Sequence, residues 1–291
     1  MALTADSSAS LRAKAQGRVR WELLTLLVRK DLKVKYQGSA LGFAWSLANP
    51  LLLMGIYYLI FSVIINNHVP GFAIYLMAGL LPWVAFSSAV TAAAGSVVGN
   101  AGLVKKVRFP LQVLPLSAVG YAAVHFLLQI GVLLLVVVAV GHDMYSPGLL
   151  LLLPALALLV LFATALSYLV AALNVRYRDT SHIVEVSMLV WFWLNPILYT
   201  SGLVKPHLTP YHLFWAYFLN PMATVVTCFQ RAIYNVASYR AVGGATVLAE
   251  PDAGYLFYVR NLAIGFAIAG ALFWYARHVF RRYEADFAEE L

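Results

Sequence analysis

The chain has 291 residues, 62% of them hydrophobic and only 11% charged, where an ordinary soluble domain carries about 25% charged residues. That much apolar surface does not fit inside one water-exposed body, because the buried fraction rises slowly with mass, so the composition excludes a soluble domain and points to lipid as the solvent. The net charge of +8 is compatible with nucleic acid. Most Lys and Arg nevertheless sit in clusters between apolar blocks, the pattern of topology signals beside anionic lipid, and no nucleic-acid partner is expected.

Residues 1–19 are Ser/Ala-rich and charged and read as a mobile cytoplasmic tail. They lack the apolar core of a cleavable signal. Residues 20–37 follow, where Trp21, Leu24, Leu27, Val28 and Leu32 recur at helical spacing while Arg29, Lys30, Lys33 and Lys35 fill other positions. This segment is too charged to cross a bilayer and predicts an amphipathic helix lying at the interface.

From residue 38 to 291 the chain reads as one transmembrane domain, because apolar blocks long enough to span recur along it. Six are expected, at about 40–65, 72–97, 111–140, 148–173, 184–201 and 257–276. Between the fifth and sixth, residues 205–235 hold two short apolar runs, Leu213–Leu219 and Met222–Phe229, broken by Asn220 and Pro221. Neither run crosses alone, and Pro221 interrupts a continuous helix. The pair predicts two re-entrant half-helices whose junction is buried in protein or lines water. Residues 237–254 predict an external loop rich in Ala and Gly.

Charge orients the spans. Eight basic residues precede the first span: Arg12, Lys14, Arg18, Arg20, Arg29, Lys30, Lys33 and Lys35. Further clusters are Lys105, Lys106 and Arg108, then Arg176 and Arg178, then Arg277, Arg281 and Arg282. An even number of crossings puts every cluster on one side, so both termini of a multi-pass membrane protein are expected in the cytoplasm.

Chemistry-bearing motifs are sparse. Nothing matches G-x-x-x-x-G-K-[ST], so no nucleotide hydrolysis is expected of this chain and no cofactor is called for within it. One cysteine, Cys228, rules out a disulfide framework or a multi-Cys metal site within the chain. His125 and Gln129 share a face of the third span without a neighbouring carboxylate, which favours helix–helix hydrogen bonding over catalysis. Glu185 is the only acidic residue inside a predicted span, against a proton-driven carrier.

The two short cytoplasmic connections are more informative. NAGLVKKVRFPLQVLP, from Asn100 to Pro115, sets Val107 and Phe109 beside Lys106 and Arg108. NVRYRDTSHIVE, from Asn174 to Glu185, is equally compact. Each reads either as a solvated loop with topology charges or as a docking element for a cytoplasmic motor, apolar side chains suiting a groove with an acidic rim. Two faces mix aromatics with an amide: Trp45, Asn49, Leu53 and Tyr57 in the first span, and Trp191, Asn195 and Tyr199 in the fifth. They read as ordinary belts and helix contacts, or as the lining of a path, since a face mixing aromatics with an amide is unsuited to plain lipid contact.

Several residues together resemble the polysaccharide-exporting permeases of the ABC-2 type, which include O-antigen, capsule and teichoic-acid exporters. They are Tyr36, Leu41, Gly42, Trp45 and Pro50, then GLLPW at Gly79–Trp83, KVRFP at Lys106–Pro110 with Pro115, NVRYRD at Asn174–Asp179, Pro196 and Tyr199, and Asn220 with Pro221. The resemblance covers about residues 20–285. It implies an all-α integral membrane fold of six spans, with an N-terminal interface helix and two short re-entrant gate helices. It also implies a homodimer bound to two copies of a separate ATPase subunit that holds ATP and magnesium. Lys105, Lys106, Arg108, Phe109, Pro110, Tyr177, Arg178 and Asp179 would couple to that subunit. Trp45, Asn49, Tyr57, Trp191, Asn195 and Tyr199 would, by their spacing and chemistry and not by the resemblance, line the path, and Asn220 and Pro221 would form the gate. The cargo would be a polysaccharide linked to polyprenyl pyrophosphate. An exporter of a drug, haem or small lipid would share the fold, and a membrane-embedded transferase would need more intramembrane acid–base residues than the spans contain.

Overall fold

A computed structural model describes residues 20–35, 37–39, 44–65, 69, 71–107, 109–142, 146–211, 213–235, 238–240, 246–248 and 254–291. The expected mobile tail, Arg108, and the marks Tyr36, Leu41 and Gly42 lie outside the described residues, as does most of the expected loop at 237–254.

The first helix, α1, spans residues 20–35 and ends in a turn at Gln37 and Gly38. Gly38 has φ 76°, a left-handed conformation that a side chain disfavours. Leu24, Leu27, Val28 and Leu32 are half-buried while Arg29, Lys30, Lys33 and Lys35 face out, the amphipathic pattern expected. Trp21 departs from it, with 69% of its surface exposed. Gly120 admits α1, since a Cβ there would lie 3.0 Å from Val28 Cγ2.

Next comes α2, Ala44–Tyr57, which runs on as a π-helix through Tyr58–Ile64. Pro50 lies inside α2 and cannot donate a backbone hydrogen bond to the preceding turn. Then follow α3 (Phe72–Ala94), the short α4 (Ala101–Lys106), α5 (Val113–Ala139) and α6 (Leu152–Arg176), the last preceded by a 3-10 turn at Pro147–Leu151. The remaining helices are α7 (Thr180–Trp193), α8 (Ser201–Leu208), α9 (Phe214–Tyr217), α10 (Pro221–Ile233), α11 (Tyr255–Tyr283) and α12 (Phe287–Glu290).

Among the described residues, four helical stretches are long and apolar enough to cross a membrane: Phe72–Ala94, Val113–Ala139, Pro147–Arg176 and Tyr255–Tyr283. They coincide with the expected second, third, fourth and sixth spans. Leu135 and Val138 on α5, Leu153 on α6, and Leu256 and Trp274 on α11 point outward as bare apolar surface, which lipid covers without cost and water does not.

Three expectations need correction. The fifth block starts and stops early, because α7 ends at Trp193 rather than near 201. Pro196 lies just beyond, where proline disfavours helix for the residue before it, and Asn195 Nδ2 takes the carbonyl of Trp191 at 2.7 Å. After α7 the chain forms three short helices, α8, α9 and α10, where two were expected. The fold is also not purely α: Ser238–Arg240 (β1) and Thr246–Leu248 (β2) pair antiparallel inside the expected external loop. Tyr239, Thr246 and Val247 suit a strand pair.

The core is built around α3, buried on nearly every side, with α10 laid against it. Every residue of α10 is buried. A second apolar cluster closes the other end, where Val104, Leu111, Leu114, Tyr168, Val175, Phe280 and Phe287 pack together with Leu27 of α1 and Phe109.

Candidate gate and coupling surface

The sequence separates Trp191, Asn195, Tyr199 and Asn220, and the fold brings them together. Asn220 caps α10: its Oδ1 accepts from the backbone N–H of Met222 at 3.1 Å, with Pro221 in the first turn where its missing N–H does no harm. The same oxygen accepts from Trp191 Nε1 at 3.2 Å, and Asn220 Nδ2 donates to Asn195 Oδ1 at 3.0 Å. One side chain therefore joins the start of α10 to the end of α7.

The turn after α7 is held from two more directions. Gln230 Nε2, from within α10, donates to the carbonyl of Pro196 at 2.8 Å. Tyr75 of α3 donates its hydroxyl to the carbonyls of Pro196 and Tyr199, at 3.3 and 3.2 Å. Tyr199 donates to the carbonyl of Trp193 at 2.9 Å, and its hydroxyl lies 3.3 Å from that of Tyr217 in α9. A buried turn has carbonyls that helix geometry leaves open, and these side chains satisfy them.

Trp191, Asn195 and Tyr199 consequently do not share a helical face, because the helix ends between the first and second of them. The ring of Trp191 turns into the core, edge-on to Trp83, Phe86 and Phe162, with centroids at 6.3, 5.4 and 5.9 Å. Asn195 is only 1% exposed. By contrast Trp45, Asn49 and Tyr57 do lie on one helix, α2. Trp45 and Asn49 are exposed, while Tyr57 is half-buried with its ring 6.3 Å from Phe61.

Glycine in the GLLPW motif has a packing role. A Cβ at Gly79 would meet Gln230 Nε2 at 2.7 Å and Val226 Cγ1 at 3.1 Å. Its absence lets α10 close on α3 and lets Gln230 reach past to Pro196. Trp83 of the same motif is buried against Trp191.

At the other end lie the expected coupling residues. Lys105, Lys106 and Val107 are exposed, whereas Phe109 and Pro110 are half-buried, Phe109 packing on the second apolar cluster. The segment thus offers Lys105, Lys106 and Val107 outward and anchors itself through Phe109. Tyr177, Arg178 and Asp179 are exposed as a turn. That turn is shaped by Asn174, buried at the end of α6, whose Oδ1 accepts from Ser181 N at 3.0 Å. Thr180 Oγ1 adds a bond to the Tyr177 carbonyl at 2.6 Å.

Residues that sequence reasoning missed tie these two connections to one another. Glu284, past the end of α11, accepts from Leu111 N at 3.0 Å. Tyr283 beside it lies under the guanidinium of Arg176, 5.6 Å away. Lys30 of α1 donates to Asn100 Oδ1 at 3.2 Å. Both connections are therefore fastened to the C-terminal end of α11, and the first also to α1. No local motif signals contacts made across 173 positions of sequence. Replacing Glu284 by Ala is expected to free the first connection at a cost of about 1 kcal/mol, seen as several-fold faster tryptic cleavage at Lys105 and Lys106.

Comparison with known proteins follows the same lines. The model of the ABC-2 type transporter family matches residues 22–234. The chain is 34% identical over 270 residues to the O-antigen export system permease protein RfbA of Myxococcus xanthus, covering 92% of this chain and 95% of that protein. It is 32% identical over 259 residues to a protein of the same name from Klebsiella pneumoniae, covering 88% and 95%. It is 24% identical over 220 residues to the polysialic acid transport protein KpsM of Escherichia coli, covering 71% and 79%. With its apolar spans, its helix order and this match across most of its length, the chain belongs to the ABC-2 type transporter family.

Proposed function

We propose that this chain is the membrane-spanning permease of an ABC exporter that moves a polysaccharide linked to polyprenyl pyrophosphate across the bacterial inner membrane. The observation that carries this reading is the near end-to-end similarity to permeases named for O-antigen export. ATP and magnesium belong to a separate ATPase subunit, present in two copies against a homodimer of this chain. The permease itself is non-catalytic.

In this reading the membrane is crossed six times, α2 with its π extension and α7 completing the four longer spans. Both termini are cytoplasmic, and α8 to α10 enter and leave from the outer face as the gate. Asn220 and Pro221 start the buried half-helix, and Trp191, Asn195 and Tyr199 latch it to the end of α7. The exposed side of α2, with Trp45 and Asn49 and with Tyr57 at its far end, lines the path where aromatic rings meet sugar faces. Lys105, Lys106, Arg108, Phe109, Pro110, Tyr177, Arg178 and Asp179 receive the motor, and the fastening of both connections to α11 supports their moving as one unit. Nucleotide state and gate state are then linked because each motor conformation favours one arrangement of the platform.

Two measurements test this. Co-purification with the partner ATPase should drop at least tenfold when Lys105 and Lys106 are both changed to Glu, since charge reversal at a rim opposes docking; ATP hydrolysis that never depends on this chain would refute the exporter reading. For topology, Glu22→Cys and Arg281→Cys should both resist a membrane-impermeant maleimide on intact spheroplasts, while Lys205→Cys reacts. Labelling of only one of the first two would require an odd number of crossings.

A further inference from the structure

A polar cleft is cut into the apolar body between α1, α2, α3 and α5. Lys35 enters from α1, Asn49 from α2, Ser88 from α3, and Tyr121, His125 and Gln129 from α5; Phe126 is among the apolar residues of the lining. The space measures about 160 Å³, roughly ten times what a single water needs. Tyr121, His125 and Gln129 follow at four-residue intervals and so share one face of α5. Their ordering is tight, with Tyr121 and His125 ring centroids 4.7 Å apart and Lys35 Nζ 5.5 Å from the centre of the Tyr121 ring. His125 is buried and Tyr121 and Gln129 half-buried, while Lys35, Asn49 and Ser88 are exposed at the mouth.

His125 lies about 18 Å along α5 from its first residue, well within a hydrocarbon layer of about 30 Å. Polar side chains at that depth are expensive unless a partner or a functional ligand meets them. Here His125, with Tyr121 and Gln129 on the same helix and Lys35, Asn49 and Ser88 at the mouth, borders open space. The lining brings one positive charge and no carboxylate, and each of its other polar side chains can donate a hydrogen bond. That balance suits an anion rich in acceptor oxygens better than a neutral sugar, which presents donors and acceptors alike. Beside the mouth, α2 continues from Asn49 to exposed Leu52 and Ile56 on the same face, bare apolar surface suited to an alkyl chain.

We propose that this cleft is a binding site for a phosphate headgroup carried by a membrane lipid. Lys35 meets the phosphate charge, Asn49, Ser88, Tyr121, His125 and Gln129 donate to its oxygens, and the lipid chain lies along Leu52 and Ile56, on the face of α2 assigned above to the path, so that lipid and glycan occupy it in turn. The site rests on the membrane reading and its geometry, not on the identity of the exported cargo.

The test titrates the full-length chain in detergent with dihexanoyl phosphatidic acid, followed by native mass spectrometry. Dihexanoylglycerol, hexyl glucoside and inorganic phosphate serve as comparison probes. One phosphatidic acid per chain should bind at least tenfold tighter than the three others. Lys35→Met and Asn49→Asp should each weaken it at least tenfold with the melting temperature unchanged, both positions being at the exposed mouth, while Lys205→Gln leaves it intact. Equal binding of dihexanoylglycerol or hexyl glucoside would overturn the phosphate assignment. Inorganic phosphate binding as tightly as the lipid would overturn the lipid part, and undiminished binding to both cleft variants would overturn the site. Loss of ATPase stimulation with lipid binding intact would count against the exporter reading alone.

Discussion

Asn220→Leu is expected to release the start of α10 from the end of α7. The substitution keeps the volume but removes three hydrogen bonds, those that Asn220 Oδ1 accepts from Met222 N and Trp191 Nε1 and the one that Asn220 Nδ2 donates to Asn195 Oδ1. Each is worth about 1 kcal/mol, and Trp191 is left with a ring N–H facing an apolar side chain, so the total loss is about 2–4 kcal/mol. The chain should still insert, because its spans are untouched. Cys228, wholly buried on α10, reports the change directly. Its reaction with a thiol-reactive dye in detergent should become at least tenfold faster below the melting point, and under the proposed function ATP hydrolysis by the assembled exporter should run with less glycan exported per ATP. Asn220→Asp retains the acceptor for Met222 and Trp191 but faces Asn195 Oδ1 with a second acceptor, and should lie between the two. Unchanged Cys228 reactivity in Asn220→Leu would mean that α10 is held by packing alone.

The second large effect falls on packing. Gly79→Val places branched carbon where Gln230 Nε2 and Val226 Cγ1 already stand 2.7 and 3.1 Å from the first added atom. Either α10 moves off α3 or Gln230 swings away and loses Pro196, and overpacking with the lost bond amounts to about 3 kcal/mol or more. Dye-monitored melting should fall by several degrees and little folded protein should be recovered. Gly79→Ala should be milder. Trimming the obstacle with Gln230→Ala should rescue part of the Gly79→Ala loss, since neighbouring substitutions are not additive. Purely additive losses would contradict the close approach described here.

Both predictions turn on positions whose residue type was visible in the sequence while its purpose was not. GLLPW stood out as a pattern, yet only the crossing of α10 over α3 explains why the first position lacks a side chain. Asn220 and Pro221 read in the sequence as a break between two apolar runs, and the structure makes them the cap and first turn of α10. That the same amide also binds Trp191 and Asn195 was not legible, since those residues are 29 and 25 positions away. The shared face of Trp191, Asn195 and Tyr199 was misread for a similar reason. Four-residue spacing describes a face only while the helix lasts, and Pro196 ends it.

What the sequence alone determined was the solvent, the long spans and the amphipathic first helix. These depend on runs of apolar side chains and on where charge is permitted, and lipid enforces both along the chain, residue by residue. The tertiary structure decided which short helix is buried, which carbonyls at the broken turn are satisfied and by whom, and how two cytoplasmic connections are joined through Glu284 and Tyr283. It also gathered Lys35, Asn49, Ser88, Tyr121, His125 and Gln129 around one cleft. Those are pairings between distant segments, where a hydrogen bond or a missing Cβ acts over a few ångströms of space, and spacing along the chain carries no record of that distance.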